Sequence, residues 1–462
     1  MNLQQNSYLK AVILKKDKAS KIEGRITHML LAIIGVKRKR RSMMSFNPFK
    51  EKARSVEDVI MSWREIYPKP YNKNEVSPYT KTRCILMNGT EFEAVWCKHH
   101  FNRTYPDDEA RRAVTLLRRS EAQQQKRISL LKPSDESILE TTIGYEQLAV
   151  DLTAALAKRS VNDKLKGALD FALLEDFDHL YRYANLLESD MGIHAERLVG
   201  AYTEITPGRP TIAHHRHPYD NVRPSVGKGA DLLTKMDVGI ITAAEQQTMN
   251  YYMNIANFYE NMPGREIYAE IGMVEEDHVS HYGSLMDTAA TPFENLLLHE
   301  YTECYLYYSM IKDESDGYIK GIYEEMLDVE LAHLHFANEL IKKYEKRDYT
   351  EVIGTGEFPE LLRLHENKDY VREVLKNTVT NTALKEGYED ICRLPSDADF
   401  FKYQKKVNDI PEEERGHTVI VDHIERFGED YRFEEKENPI PELRSRKEDN
   451  FDVGRVPKCS NM

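Results

Sequence analysis

The 462-residue chain carries 77 acidic and 64 basic side chains, a formal net charge of −13, which argues against general nucleic-acid binding. Its composition, 41% hydrophobic and 31% charged, is that of a soluble globular protein long enough for two ordinary domains, with no apolar run near the ~20 residues of a membrane helix. Five scattered cysteines (Cys84, Cys97, Cys304, Cys392, Cys459) form no Cys-x-x-Cys, which excludes rubredoxin-type and thioredoxin-like motifs, argues against a disulfide framework and predicts a cytoplasmic setting.

Residues 1–42 differ from the rest and end in Lys37-Arg38-Lys39-Arg40-Arg41-Ser42, directly before Met43-Met44. Such a cluster reads as a localisation or phosphate-binding patch, or as a translated ribosome-binding sequence with the natural start at Met43 or Met44. No small-residue cleavage site follows an apolar stretch, so no signal peptide is expected. Residues 43–130 are predicted to form a small α+β unit. Thr82–Met87 and Thr90–Val95 flank Asn88-Gly89 as in a β-hairpin. Cys97-Lys98-His99-His100 is a poor metal-ligand set, and Asp107–Lys126 reads as a charged, solvated helix.

From about residue 135 the chain reads as helical hairpins. Glu136–Lys158 pairs with Lys164–Asp190, Leu232–Tyr259 with Arg265–Met286, Phe293–Lys312 with Gly317–Tyr344, and Tyr370–Arg393 with Asp399–Phe427. Pro411 must break or restart the last of these helices. The predicted class is mainly α, with a charged, extended tail over 431–462.

Each hairpin carries a glutamate and, on its second helix, a carboxylate three residues before a histidine. The sets are Glu146 with Asp176 and His179, Glu245 with Glu275 and His278, Glu300 with Glu330 and His333, and Glu386 with Glu414 and His417. The count alone is close to what this acid content supplies by chance; the arrangement carries the argument. Residues i and i+3 share a helix face. The carboxylates of each set are separated by 30, 30, 30 and 28 residues, so the midpoints fall at or beside the first three predicted turns. Residues equidistant from a hairpin turn lie side by side, which puts each lone glutamate level with its carboxylate–histidine pair. The fourth midpoint falls past its turn.

This repeated Glu…Glu-x-x-His arrangement resembles the ferritin-like di-iron carboxylate superfamily, such as rubrerythrins and bacterial multicomponent monooxygenases, over about residues 135–425. The resemblance implies two hairpins per four-helix bundle, with four carboxylates and two histidines holding two iron ions per site, manganese being an alternative. It further implies bridging or chelating roles for Glu275 and Glu330, and terminal ones for His278, His333, Glu245 and Glu300. The same roles carry over to Glu146, Asp176, His179, Glu386, Glu414 and His417. Glu303, three residues after Glu300, is similar to an extra glutamate of rubrerythrins. Tyr301 is a candidate hydrogen-bond or electron donor beside the metal, and His281 and His335 are candidate supporting groups. His214-His215-Arg216-His217-Pro218 belongs to a crossover loop.

Crossover lengths decide which hairpins pair. His179 and Glu245 are separated by 65 residues, His333 and Glu386 by 52, and His278 and Glu300 by only 21, too few to recover the length of a bundle. Two tandem bundles over 131–288 and 292–430 are expected, with a single site from the second and third hairpins as the alternative, hence one or two sites per chain. The implied function is an oxidoreductase activating O2 or a peroxide, with an unidentified electron donor, no nucleic-acid or membrane partner, and homo-oligomerisation left open. Iron storage or detoxification, and a metal-free structural role, are the rival expectations.

Overall fold

Side-chain caps set the starts of eight long helices. In the computed structural model, which describes residues 46–200, 202–209, 215–408 and 415–428, α1 (Pro78–Thr104) begins at Ser77 and α2 (Asp108–Ser129) at Asp107. Ser137 and Glu140 form a capping box on α3 (Ile138–Arg159), and Asn162 caps α4 (Asp163–Met191). After the single turn α5 (Glu196–Val199), Asp231 caps α6 (Leu232–Phe258) and Asn261 caps α7 (Met262–Gly283). Thr291 and Glu294 box the start of α8 (Pro292–Asp313), and Asp316 caps α9 (Gly317–Glu345). In each case a side-chain oxygen takes a backbone N–H that the first turn leaves unpaired.

These helices form four antiparallel hairpins, α1/α2, α3/α4, α6/α7 and α8/α9. Hairpin α3/α4 packs on α6/α7, with α3 against α6 and α4 against α7. Hairpin α1/α2 packs on α8/α9, with α1 against α8 and α2 against α9. One four-helix group is therefore contiguous, whereas the other is assembled from two segments with the first group inserted between them. Helix α1 also contacts α3 and α6, joining the two groups.

The expected strand pair at Thr82–Val95 is a correction. Both runs belong to α1, and Gly89 marks close helix packing instead of a turn. A Cβ there would lie 2.6 Å from Gln247 Nε2 and 3.3 Å from the Ala243 carbonyl, both on α6. The expected solvated helix at Asp107–Lys126 is also corrected: α2 buries Ala110, Val114, Leu117, Glu121, Gln124 and Ile128. No α+β unit forms over 43–130 among the described residues; α1 and α2 are half of a helical group.

The fourth expected hairpin does not form either. Its place is taken by α10 (Lys368–Thr378), an antiparallel ribbon β1 (Asn381–Leu384) and β2 (Gly387–Asp390), α11 (Asp399–Val407) and α12 (Arg415–Phe427). The helical period breaks where Asn381-Thr382-Ala383-Leu384 turns at Lys385, which adopts φ +54. Helix α12 lies across α4 and α7, and α10 against α4, so this segment covers the first group without contributing to a second. Among the described residues, no helix is long and apolar enough to cross a membrane.

Candidate metal centres

The first cluster gathers one level of α3, α4, α6 and α7. Glu146, Asp176, His179, Glu245, Glu275 and His278 are each at most 1% exposed. Potential ligand atoms of Asp176, Glu245, Glu275 and His278 lie within 4.8 Å of one another, as do those of Glu146, His179 and Glu275. Glu275 belongs to both groups and stands between the histidines: its Oε1 is 3.0 Å from His179 Nδ1 and its Oε2 3.0 Å from His278 Nδ1. His278 Nδ1 is also 3.2 Å from Asp176 Oδ1 and 3.8 Å from Glu245 Oε2.

Supporting contacts orient this set. Glu175 Oε2 lies 2.8 Å from His278 Nε2; accepting that N–H would leave Nδ1, once it gives up its own proton, as the nitrogen available to a metal ion. Glu175 is itself held by Arg209 at 3.0 Å and Arg216 at 2.8 Å. Burial works against its charge, but the two guanidiniums hold its carboxyl well below the usual range. The tyrosine hydroxyl of Tyr252 donates to Glu146 Oε1. Arg216 comes from the histidine-rich crossover segment, where His214 lies outside the described residues and His217 is an exposed cap of the following turn.

The fit to cations rests on what the protein leaves unsatisfied. Glu146 Oε2, both oxygens of Asp176 and both of Glu245 make no hydrogen bond although fully buried. Burial, and then neighbouring carboxylates, pushes Glu146 and Glu245 well above the ordinary carboxylate range. Burial opposes a charged His278, yet Asp176, Glu175 and Glu245 hold that ring well above its usual pKa. Four buried carboxylates without cations are costly, and two divalent ions would neutralise them.

A second cluster occupies the same level of α1, α2, α8 and α9. Ligand atoms of Glu121, Glu300, Glu330 and His333 lie within 4.8 Å of one another, as do those of Glu91, Glu121 and Glu303. His333 Nδ1 is 3.1 Å from Glu121 Oε1 and 3.5 Å from Glu330 Oε1. The hydroxyl of Tyr307 donates to Glu91 as that of Tyr252 does to Glu146. Inside this ring the ammonium of Lys98 lies 2.9 Å from Glu121 and 2.8 Å from Glu300. A cavity of about 980 Å³, lined in part by Trp96, Cys97, Lys98, His299, Thr302 and Glu303, opens onto this cluster.

Glu300, Glu330, His333 and Glu303 thus come together, but their partners are Glu91 and Glu121 instead of the expected fourth set. Glu386 sits exposed in the β1–β2 turn, His417 is half-buried on α12, and Glu414 lies outside the described residues. Tyr301 has a different role from the one expected: its hydroxyl donates to the Glu357 carbonyl at 2.9 Å and its ring packs on Phe49 and Phe358. His281 meets the Tyr388 hydroxyl at 2.9 Å, and His335 the Pro48 carbonyl at 3.1 Å. Glu91 and Glu121 repeat the 30-residue spacing, but with Gln124 where the other sets have histidine. A search for spacing alone would have found them.

Comparison with protein-family models, curated proteins and solved structures finds no match for this chain. The functional reading therefore rests on the chemistry of the two clusters.

Proposed function

We propose that the first cluster is a dinuclear metal centre of the ferritin-like carboxylate type and that the protein is a metal-dependent oxidoreductase acting on O2 or a peroxide. The observation that carries this reading is the ligand set itself: four carboxylates and two imidazoles from four helices, fully buried, with five carboxylate oxygens lacking a hydrogen bond. Mixed oxygen and imidazole donors suit iron or manganese, and such a pair supplies two-electron chemistry when bound. In this reading Glu146, His179 and Glu275 would hold one ion, and Asp176, Glu245, Glu275 and His278 the other. Glu175, anchored by two arginines, orients the His278 ring through Nε2, and Tyr252 donates a hydrogen bond to Glu146.

Metal analysis after anaerobic loading with Fe(II) tests this reading. About two ions per chain assignable to the first cluster are expected, removed by Glu275→Ala and by Glu245→Ala. The loaded protein is expected to consume O2 in a closed electrode cell, and Glu275→Ala to leave the trace at baseline. Wild-type protein that binds no more metal than Glu275→Ala would overturn the assignment.

A further inference from the structure

The two clusters correspond residue by residue, and their differences are chemically coherent. Counting from the shared 30-residue spacing, Glu91, Glu121, Gln124, Glu300, Glu330 and His333 correspond to Glu146, Asp176, His179, Glu245, Glu275 and His278. Three departures concern the supporting chemistry. Gln124 replaces a histidine; it is fully buried, and neither amide atom makes a hydrogen bond. Being three residues after Glu121, it shares that residue's helix face. Ser120 stands where Glu175 anchors the other histidine, and His333 Nε2 makes no hydrogen bond. Lys98 replaces Thr153, seven residues after the first glutamate of its set.

Lys98 enters the half of the ring that contains His333. Its ammonium contacts Glu121 and Glu300, two of the four residues that correspond to the Asp176, Glu245, Glu275 and His278 group. A tethered cation and a metal ion would repel strongly at that separation in a buried site. The other half has gained an oxygen donor where it lost a nitrogen donor. Glu303 brings its carboxylate within ligand reach of Glu91 and Glu121, replaces Thr248 of the first set, and makes no hydrogen bond through either oxygen. With Lys98 charged, the cluster's five carboxylates still leave a net −4, so the second cluster too is costly to bury without a bound cation.

We propose that the second cluster is a mononuclear site for one hard divalent cation of the Mn(II), Fe(II) or Mg(II) kind, held by Glu91, Glu121 and Glu303, with the Lys98 ammonium occupying the other half of the ring. An all-carboxylate donor set selects such cations. The cavity reaches Lys98 and Glu303 and offers the entry route. The proposal uses none of the residues of the first cluster and does not depend on that cluster's reactivity.

Mn(II) binding to the full chain, followed by equilibrium dialysis and electron paramagnetic resonance, tests it. In a Glu275→Ala background, about one Mn(II) per chain with an uncoupled six-line spectrum is expected, and Glu303→Gln should abolish it. Lys98→Met in the same background should admit a second ion and convert the spectrum to that of a coupled pair. In the otherwise wild-type chain, Glu303→Gln should remove only the uncoupled signal, which guards against a variant that fails to fold. No uncoupled signal in the wild-type chain, or a coupled pair at the second cluster with Lys98 intact, would overturn the proposal. Absence of a coupled pair from the first cluster would instead count against the dinuclear reading alone.

Discussion

Buried carboxylates trade stability for ligand capacity at single positions. Glu245 is 1% exposed and neither of its oxygens makes a hydrogen bond. Glu245→Leu should therefore raise the melting temperature of metal-free protein, relieving a desolvation cost of about 1–3 kcal/mol. It should also remove the share of the Fe(II) or Mn(II) stabilisation that arises by mass action at the first cluster, leaving that of the second. Differential scanning calorimetry with and without metal separates the two effects, and a metal-induced shift as large in Glu245→Leu as in the wild-type chain would count against Glu245 as a ligand. Arg216→Met leaves Glu175 short of compensation and should cost about 3–5 kcal/mol. Asp151 supplies a pH-dependent case away from the metal clusters. Burial raises its carboxyl to about 7, against hydrogen bonds from Thr203, Asn367 and Tyr79. Between the ordinary value of 3.8 and about 7, the native state retains a proton that the unfolded chain has lost, so this residue's contribution falls as pH rises through that window. Urea denaturation should show the stability of Asp151→Asn relative to wild type increasing from pH 4.5 to 7.5. A pH-independent difference would remove Asp151 from the account.

At the scale of elements, Gly89 shows why local propensity misleads. Asn-Gly between β-branched and aromatic residues is a turn signal in isolation, but here tertiary packing decides. Gln247 bonds Asn88 at 2.6 Å and the Ile85 carbonyl at 2.7 Å, which holds α6 against the Gly89 face of α1. Gly89→Ala gains helix propensity, worth about 1 kcal/mol, yet its methyl group would enter a contact whose side chain is tied at both ends. Overpacking of this kind costs about 1–3 kcal/mol, so a net loss in thermal stability is expected; equal or higher stability would show that α1 and α6 have room to part. Elements with both a strong period and a cap were legible in the sequence: α3, α4, α6, α7, α8 and α9 begin and end within a few residues of expectation. So was the level of the first cluster, because the 30-residue spacing converts directly into height on an antiparallel hairpin. The partners of Glu300 and Glu330 were not legible through an acid–histidine motif, since Gln124 carries no metal-ligand signature and Lys98 reads as a surface cation. The ribbon at 381–390 was hidden by its short strands, whose residues fit a helical pattern equally well.

The whole molecule departs from a tandem repeat in one consequential way. A tandem arrangement makes residues 131–430 self-sufficient, whereas the observed packing interleaves the groups: α1 and α2 complete the cluster of α8 and α9, with α3 to α7 inserted between. Removing residues 1–130 would strip Glu300, Glu330 and His333 of Glu91, Glu121 and the Lys98 counter-charge, and Tyr307 of its acceptor. It would also uncover the faces of α3 and α6 that α1 contacts. Buried carboxylates left without that cation and apolar surface left without cover both oppose folding. A chain beginning at residue 131 should accordingly be insoluble or unfold without a cooperative transition. A chain beginning at Met43, which retains every helix from α1 to α12, is the matched control and should unfold cooperatively. Co-expression of residues 43–130 as a separate piece should restore solubility to the 131–462 fragment if the α1/α2 hairpin docks as described, with the two pieces co-purifying. A 131–462 fragment that unfolds cooperatively and binds metal on its own would show that the interleaved group is dispensable and that the α8/α9 hairpin finds its partners elsewhere.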